Sequence, residues 1–151
     1  MDLRPELMPP VVGPERLEEL SREIERIAGL VEARSADEDE AIRAFNTMTG
    51  HDYEACHFAH YWRSRDLEDF AREAARPARP RVADVTKEEL VEIVRRVLVA
   101  DAETDYYLLL LQMNVLHPAV SGLIFHPADA LRDASAEEIV EEALAYRPIA
   151  L

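Results

Sequence analysis

The stretch His51, Cys56, His57 and His60 groups the side chains best suited to ligate a metal. On a helix, Cys56 and His60 stand four residues apart and share a face, so both could reach one zinc ion. A structural zinc site needs four ligands, usually in recognisable pairs, and the neighbours here are Phe58, Tyr61 and Trp62, aromatics of the kind that fill cores. No metal site is assigned. Nucleophilic catalysis also lacks its parts: there is no Gly-x-Ser-x-Gly elbow, and Cys56, the lone cysteine, sits in an aromatic helix without an evident activating base. Paired acids such as Glu137 and Glu138 fall in the first turn of an expected helix, where carboxylates favour the positive end of the dipole. Four glycines in the whole chain leave no loop to cradle a phosphate. The chain is therefore expected not to be an enzyme and to need no cofactor.

The 151 residues are 48% hydrophobic and 32% charged, the composition of a folded chain able to bury one core or two small ones. Asp and Glu number 31 against 17 Lys and Arg, a formal charge of −14. That sign argues against nucleic acid as a partner, because such affinity rests on cations displacing counterions, and it favours a basic protein. The longest strongly apolar run, Tyr106 to Leu111, is too short to span a bilayer, and the first ten residues hold no apolar signal stretch. No membrane association and a cytoplasmic location are expected, in keeping with a single thiol.

Any site must be positioned by helices. Period-two alternation is missing, and Val and Ile recur at helical spacing, so the expected fold class is all-α, a helical bundle. A first helix opens at Pro14 with Leu17, Leu20, Ile24, Ile27 and Val31 in one stripe. Ser35 with Glu38 reads as a capping box for a second helix whose buried side carries Ile42, Phe45 and Met48, ended by Thr49-Gly50. Asp52 is the expected cap of a third helix through Trp62, and Ser64 that of a fourth bearing Leu67, Phe70, Ala71 and Ala74. The Arg76-Pro77-Ala78-Arg79-Pro80-Arg81 segment cannot continue a helix and reads as an exposed, stiff connector. Charge is shared across it: 12 basic against 19 acidic residues through position 85, then 5 against 12, a net −7 on each side.

Beyond the connector, Thr86 and Glu89 form a capping box for a helix with Leu90, Ile93, Val94, Val97 and Leu98 facing inward. Asp101 to Asp105 restarts the chain into a leucine-rich helix running to about Leu116, apolar nearly all round, which calls for cover by the first half or by a second copy. His117-Pro118 stops it, Ser121 to Phe125 leaves room for little more than one turn before Pro127, and Ser135 with Glu138 opens a last helix that buries Ile139, Val140, Ala143 and Leu144.

The segment His117-Pro118-Ala119-Val120-Ser121-Gly122-Leu123-Ile124-Phe125-His126-Pro127, with its flanking helices, resembles the colicin/pyocin immunity protein family over roughly residues 84 to 147. Members of that family are four-helix proteins that inactivate DNase-type bacteriocins in the producing cell. Ser121, Leu123, Ile124 and Pro127 match the family motif, and Phe125 keeps an aromatic where the family has the first of two tyrosines. Two positions depart: the family's aspartate after the serine is Gly122 here, and its second tyrosine is His126. The family's second helix is acidic and sets partner choice, whereas this one is largely leucine.

Two readings of the turn stay open. Leu123, Ile124 and Phe125 could plug the bundle, or the turn could present an exposed patch with Ser121, Phe125 and His126 as contacts and Asp105, Asp129 and Asp133 as an acidic rim. The second reading, taken with the resemblance, implies a protein that binds and neutralises a basic toxin nuclease domain of the DNase type by steric and electrostatic occlusion. The alternative is a non-catalytic interaction module that reuses the immunity fold and forms a homodimer through the leucine-rich helix. The expected organisation is an N-terminal helical region, residues 1–80, of unknown role, packed on an immunity-like four-helix domain, residues 84–151.

Overall fold

The computed structural model of the chain describes residues 2–63, 65–127 and 131–146. Among these the fold is all-α, with eight α-helices and no strand. They are α1 (Pro14–Glu32), α2 (Glu38–Thr49), α3 (Ala55–His60), α4 (Leu67–Ala75), α5 (Lys87–Leu98), α6 (Thr104–Asn114), α7 (Val120–Phe125) and α8 (Ala136–Ala145), with 3-10 turns at Pro5–Leu7 and Tyr61–Arg63. The chain divides into two compact units, one made of Pro10–Ala78 and the other of Met1–Pro9 together with Arg79–Leu151. Residues 2–9 thus group with the C-terminal helices. Leu3 and Leu7 are the reason: both are buried in the same core as Leu90, Val94, Leu110 and Ile139.

In the Pro10–Ala78 unit, α1 packs against α2, α3 and α4. Its Leu20, Ile24 and Ile27 are fully buried against Ile42 and Phe45 of α2, Phe58 of α3 and Phe70, Ala71 and Ala74 of α4. The helix starts differ from expectation at three points. Ser35 does not cap α2, because its backbone N–H is already donated to the Leu30 carbonyl (2.9 Å), closing α1 with Arg34 left-handed (φ 52). A capping box needs that N–H free for Glu38. The Ser35 hydroxyl accepts instead from Asp37 N–H, and Asp37 takes the N-cap position. Helix α3 begins at Ala55 with Glu54, not Asp52, before it, and the Glu54 N–H donates to Nδ1 of His57 (2.8 Å). Ser64 lies outside the described residues; the cap of α4 is Asp66, whose carboxylate accepts from Asp69 N–H.

In the other unit α5 packs on α6 and α8, and α7 touches both α6 and α8. The capping boxes at Thr86 and Ser135 form as expected, each with the hydroxyl and the Glu three residues on exchanging bonds with the backbone. Leu98 and Leu144, expected inside, are 45% and 40% exposed; Val91 completes the buried stripe of α5 and Ala136 that of α8. Helix α6 stops at Asn114, two residues early, and the connector is not wholly exposed. Asn114 draws it in: Nδ2 donates to the Pro80 carbonyl (2.9 Å), Oδ1 accepts from Val82 N–H (2.9 Å), and Pro80 is buried.

Two predictions arise from this frame. Helix α5 closes as α1 does, with Asp101 N–H on the Arg96 carbonyl and Ala100 left-handed at φ 54. That conformation costs a non-glycine residue roughly 1–2 kcal/mol. Ala100→Gly should therefore stabilise the unit by about 0.5–1 kcal/mol after the larger unfolded-state freedom of glycine is subtracted, raising the melting temperature by a few degrees. A lower melting temperature would refute the strain. The second concerns Glu89, buried and holding Arg4 through a 2.7 Å bond from Nε. The Arg4 bond, then the Thr86 backbone N–H, keep its carboxyl below the ordinary range. A depressed pKa stabilises the fold above the unfolded value of about 4.3 and loses that contribution as pH falls through the folded one. Denaturant midpoints measured on acidification should fall below about pH 4.5 and do so less steeply in Glu89→Gln.

Candidate functional site

The site nominated by sequence is built around α7, and its position follows from how α6 ends. Val115 leaves the helix in an extended conformation, and the His117-Pro118 pair prevents continuation. The turn is held by His117, whose Nδ1 accepts from Ala119 N–H (3.0 Å), so in the neutral ring the proton sits on Nε2. The same ring rests against Tyr146, centroids 5.2 Å apart, tying the corner to the end of α8. Helix α7 is then a single closed turn, with Gly122 N–H on the Ala119 carbonyl and His126 N–H on the Gly122 carbonyl, both 2.9 Å. Pro127 has no N–H with which to extend it.

Side chains of this turn divide by face. Val120 is 2% exposed and, with Leu111, Val115, Val140 and Ala143, lines a void of about 10 Å3 whose apolar walls offer water no partner. Leu123 and Ile124 are half-buried against the core. Phe125 is 52% exposed and His126 is exposed, while Ser121 is half-buried. The turn is therefore held down by Val120, Leu123 and Ile124, and Phe125 projects to solvent. Of the acidic rim, Asp105 is exposed in the first turn of α6 and Asp133 is exposed in a left-handed conformation (φ 67); Asp129 lies outside the described residues. No hydrogen bond or ion pair joins these residues to one another among the described residues.

Sequence reasoning missed the acids of α8 as a group. Glu137, Glu138, Glu141 and Glu142 are all exposed. Glu137 pairs with Arg95 and Glu141 with Lys87 (3.0 Å), linking α8 to α5. The Glu137 carboxyl is held below the ordinary range, first by its own backbone N–H and further by Arg95, so it is a full negative charge at neutral pH. Their spacing was legible, but a cap and a dipole effect accounted for the first two and drew no further reading.

The residues considered for metal binding have other partners or face solvent. His51 is buried, its ring stacked on Tyr53 (4.9 Å, 6°) and its Nε2–H donated to the Arg76 carbonyl (2.8 Å). His57 Nδ1 is occupied by Glu54 N–H, and Cys56 and His60 are exposed on α3. No group of three or more His, Cys, Asp or Glu able to hold a metal ion occurs among the described residues. No described helix is long and apolar enough to cross a membrane.

Comparison with curated proteins and with solved structures returned no match. Residues 82–148, which carry α5 to α8 and the turn just described, match the sequence model of the family described as colicin immunity protein / pyocin immunity protein, and it is to this family that the C-terminal part of the chain is similar.

Proposed function

We propose that the C-terminal unit binds a basic toxin nuclease domain through the outer side of α7 and neutralises it without chemistry of its own. The observation that carries this reading is the exposure of Phe125, 52% of its surface free, on a turn that its other apolar residues anchor, inside the segment that matches the immunity family. Aromatic side chains, Phe among them, are enriched at the cores of protein interfaces. The surroundings suit a cationic partner, with 5 basic against 12 acidic residues after position 85. Bound acids would cover or adjoin the nuclease's DNA-binding surface and repel the phosphate backbone, so inhibition needs only position and charge.

Calorimetric titration with basic nuclease domains encoded beside this chain's gene tests the reading. Binding is expected, with an association rate that falls steeply as salt rises. Failure to bind any of them, with helical content intact, would overturn it. The leucines of α6 offer little continuous surface to a homodimer, since Leu110 and Leu111 are fully buried within their own unit, Leu108 packs on its core and Leu109 alone of the four stands off it, half-buried. Sedimentation should accordingly return a monomer.

A further inference from the structure

The matched segment begins at residue 82, yet the unit it belongs to takes in residues far upstream. Leu7 is wholly buried and Leu3 is 7% exposed, both in the core formed by α5, α6 and α8. Between them Arg4 forks onto Glu89, Nε to Oε2 at 2.7 Å and Nη2 to Oε1 at 3.2 Å. The same Nη2 reaches the carbonyls of Ala83 and Asp84 at 3.3 and 3.4 Å. At the end of the arm, Met8 Sδ accepts from Arg96 Nη1 (3.5 Å), whose guanidinium also holds the Tyr107 hydroxyl and Glu92. Two apolar anchors four residues apart with an arginine fork between them are the features of a docked peptide. Pro5 opens the 3-10 turn and presets its backbone, which lowers the ordering cost of docking.

The rest of the N-terminal half leaves from Pro10 and returns at Ala78. Each crossing is clasped by an arginine within its own unit: Arg4 reaches back to Ala83 and Asp84, and Arg76 Nε donates to the Pro10 carbonyl (2.9 Å). We infer that α5 and α6 carry a docking groove for the segment 2–9 of this chain, and that Pro10–Ala78 is an insert between that arm and the helices it completes. The immunity-like unit is thus discontinuous, and cutting it at residue 82 removes two core residues and the partner of a buried carboxylate.

The full chain lacking residues 2–9 tests this, with a synthetic peptide of residues 2–10 added in trans. Hydrogen exchange of the α5 and α6 amides should accelerate at least tenfold on deletion and return toward the full-chain rate with peptide; a peptide carrying Arg4→Ala should need at least tenfold more for the same effect. Trp62, the sole tryptophan and part of the insert, should keep its emission throughout. If the deleted chain does not fold, Leu7→Ala in the full chain takes its place, with the same exchange and peptide readouts. Unchanged α5 and α6 exchange in the deletion or in Leu7→Ala, or no slowing by the peptide, overturns the groove. A parallel loss of protection in α1 and α4 overturns the insert.

Discussion

Replacing Phe70 with alanine is expected to destabilise the Pro10–Ala78 unit by about 3–5 kcal/mol. The ring is wholly buried and lies at the centre of an aromatic cluster, with centroids 5.0 Å from Tyr53, 5.4 Å from Phe58 and 5.5 Å from Tyr61. Its face carries the Arg65 guanidinium at 4.3 Å, and Arg65 in turn holds Glu73 (2.5 Å), the acceptor of the Tyr53 hydroxyl at 2.7 Å. Truncation removes the transfer energy of the ring, its tilted contacts with Tyr53 and Phe58, its edge contact with Tyr61 and the platform under the arginine. Collapse into the space is hindered because Tyr53 is fixed at two further points, its backbone N–H and carbonyl both bonded to the Asn46 side chain at 2.9 Å. Against a domain stability of about 5–15 kcal/mol, such a loss removes from roughly a fifth to all of the margin. Urea unfolding followed by Trp62 emission reads this unit directly. A cost under about 1 kcal/mol would mean that the cluster closes over the void, and Phe70→Leu, which keeps most of the volume, should recover more than half of the loss.

Legibility in the sequence followed the range of the interaction. Capping at Thr86 and Ser135 could be read because every partner lies within four residues and nothing else competes for the backbone groups involved. The same pattern at Ser35 failed because the N–H it required had been taken by the close of α1, an outcome set by where the previous helix ends. Glu54 displaces Asp52 through His57, whose ring accepts the Glu54 N–H. Periodicity marked the buried faces of α1 and α4, and it erred at Met48, Leu98 and Leu144, each exposed in the last turn of its helix. The arm was invisible for a different reason. Leu3 and Leu7 stand in a proline-rich stretch too short for any period, and the Arg4–Glu89 pair joins positions 85 residues apart. At the candidate site, the turn itself and its stop at Pro127 were legible, whereas the outward direction of Phe125 depends on which of three adjacent apolar residues the core accepts. Leu123 and Ile124 pack against it and Phe125 does not.

Phe125→Ala should leave the fold almost untouched and weaken toxin binding by about 2 kcal/mol or more, roughly 30-fold in Kd. Half of the ring is already in water in the free chain, so its removal costs the unit little, and Val120 still anchors α7 from below. In a complex the ring would lose that water, and its loss would leave an unfilled pocket on the partner. Asp105→Asn and Asp133→Asn, at exposed positions, should act mainly on the association rate and its salt dependence, since rim charges steer encounter more than they hold the complex. The departures at Gly122 and His126 supply the opposite test. A Cβ at Gly122 would meet only the Ala119 Cβ, at 4.0 Å, so an aspartate fits there without displacing backbone. Gly122→Asp combined with His126→Tyr adds an acid and a second aromatic anchor beside Phe125, and should tighten binding to a basic nuclease domain. Equal binding by the wild type, by Phe125→Ala and by this double variant would place the contact elsewhere than α7, whatever the C-terminal helices otherwise share with the immunity family.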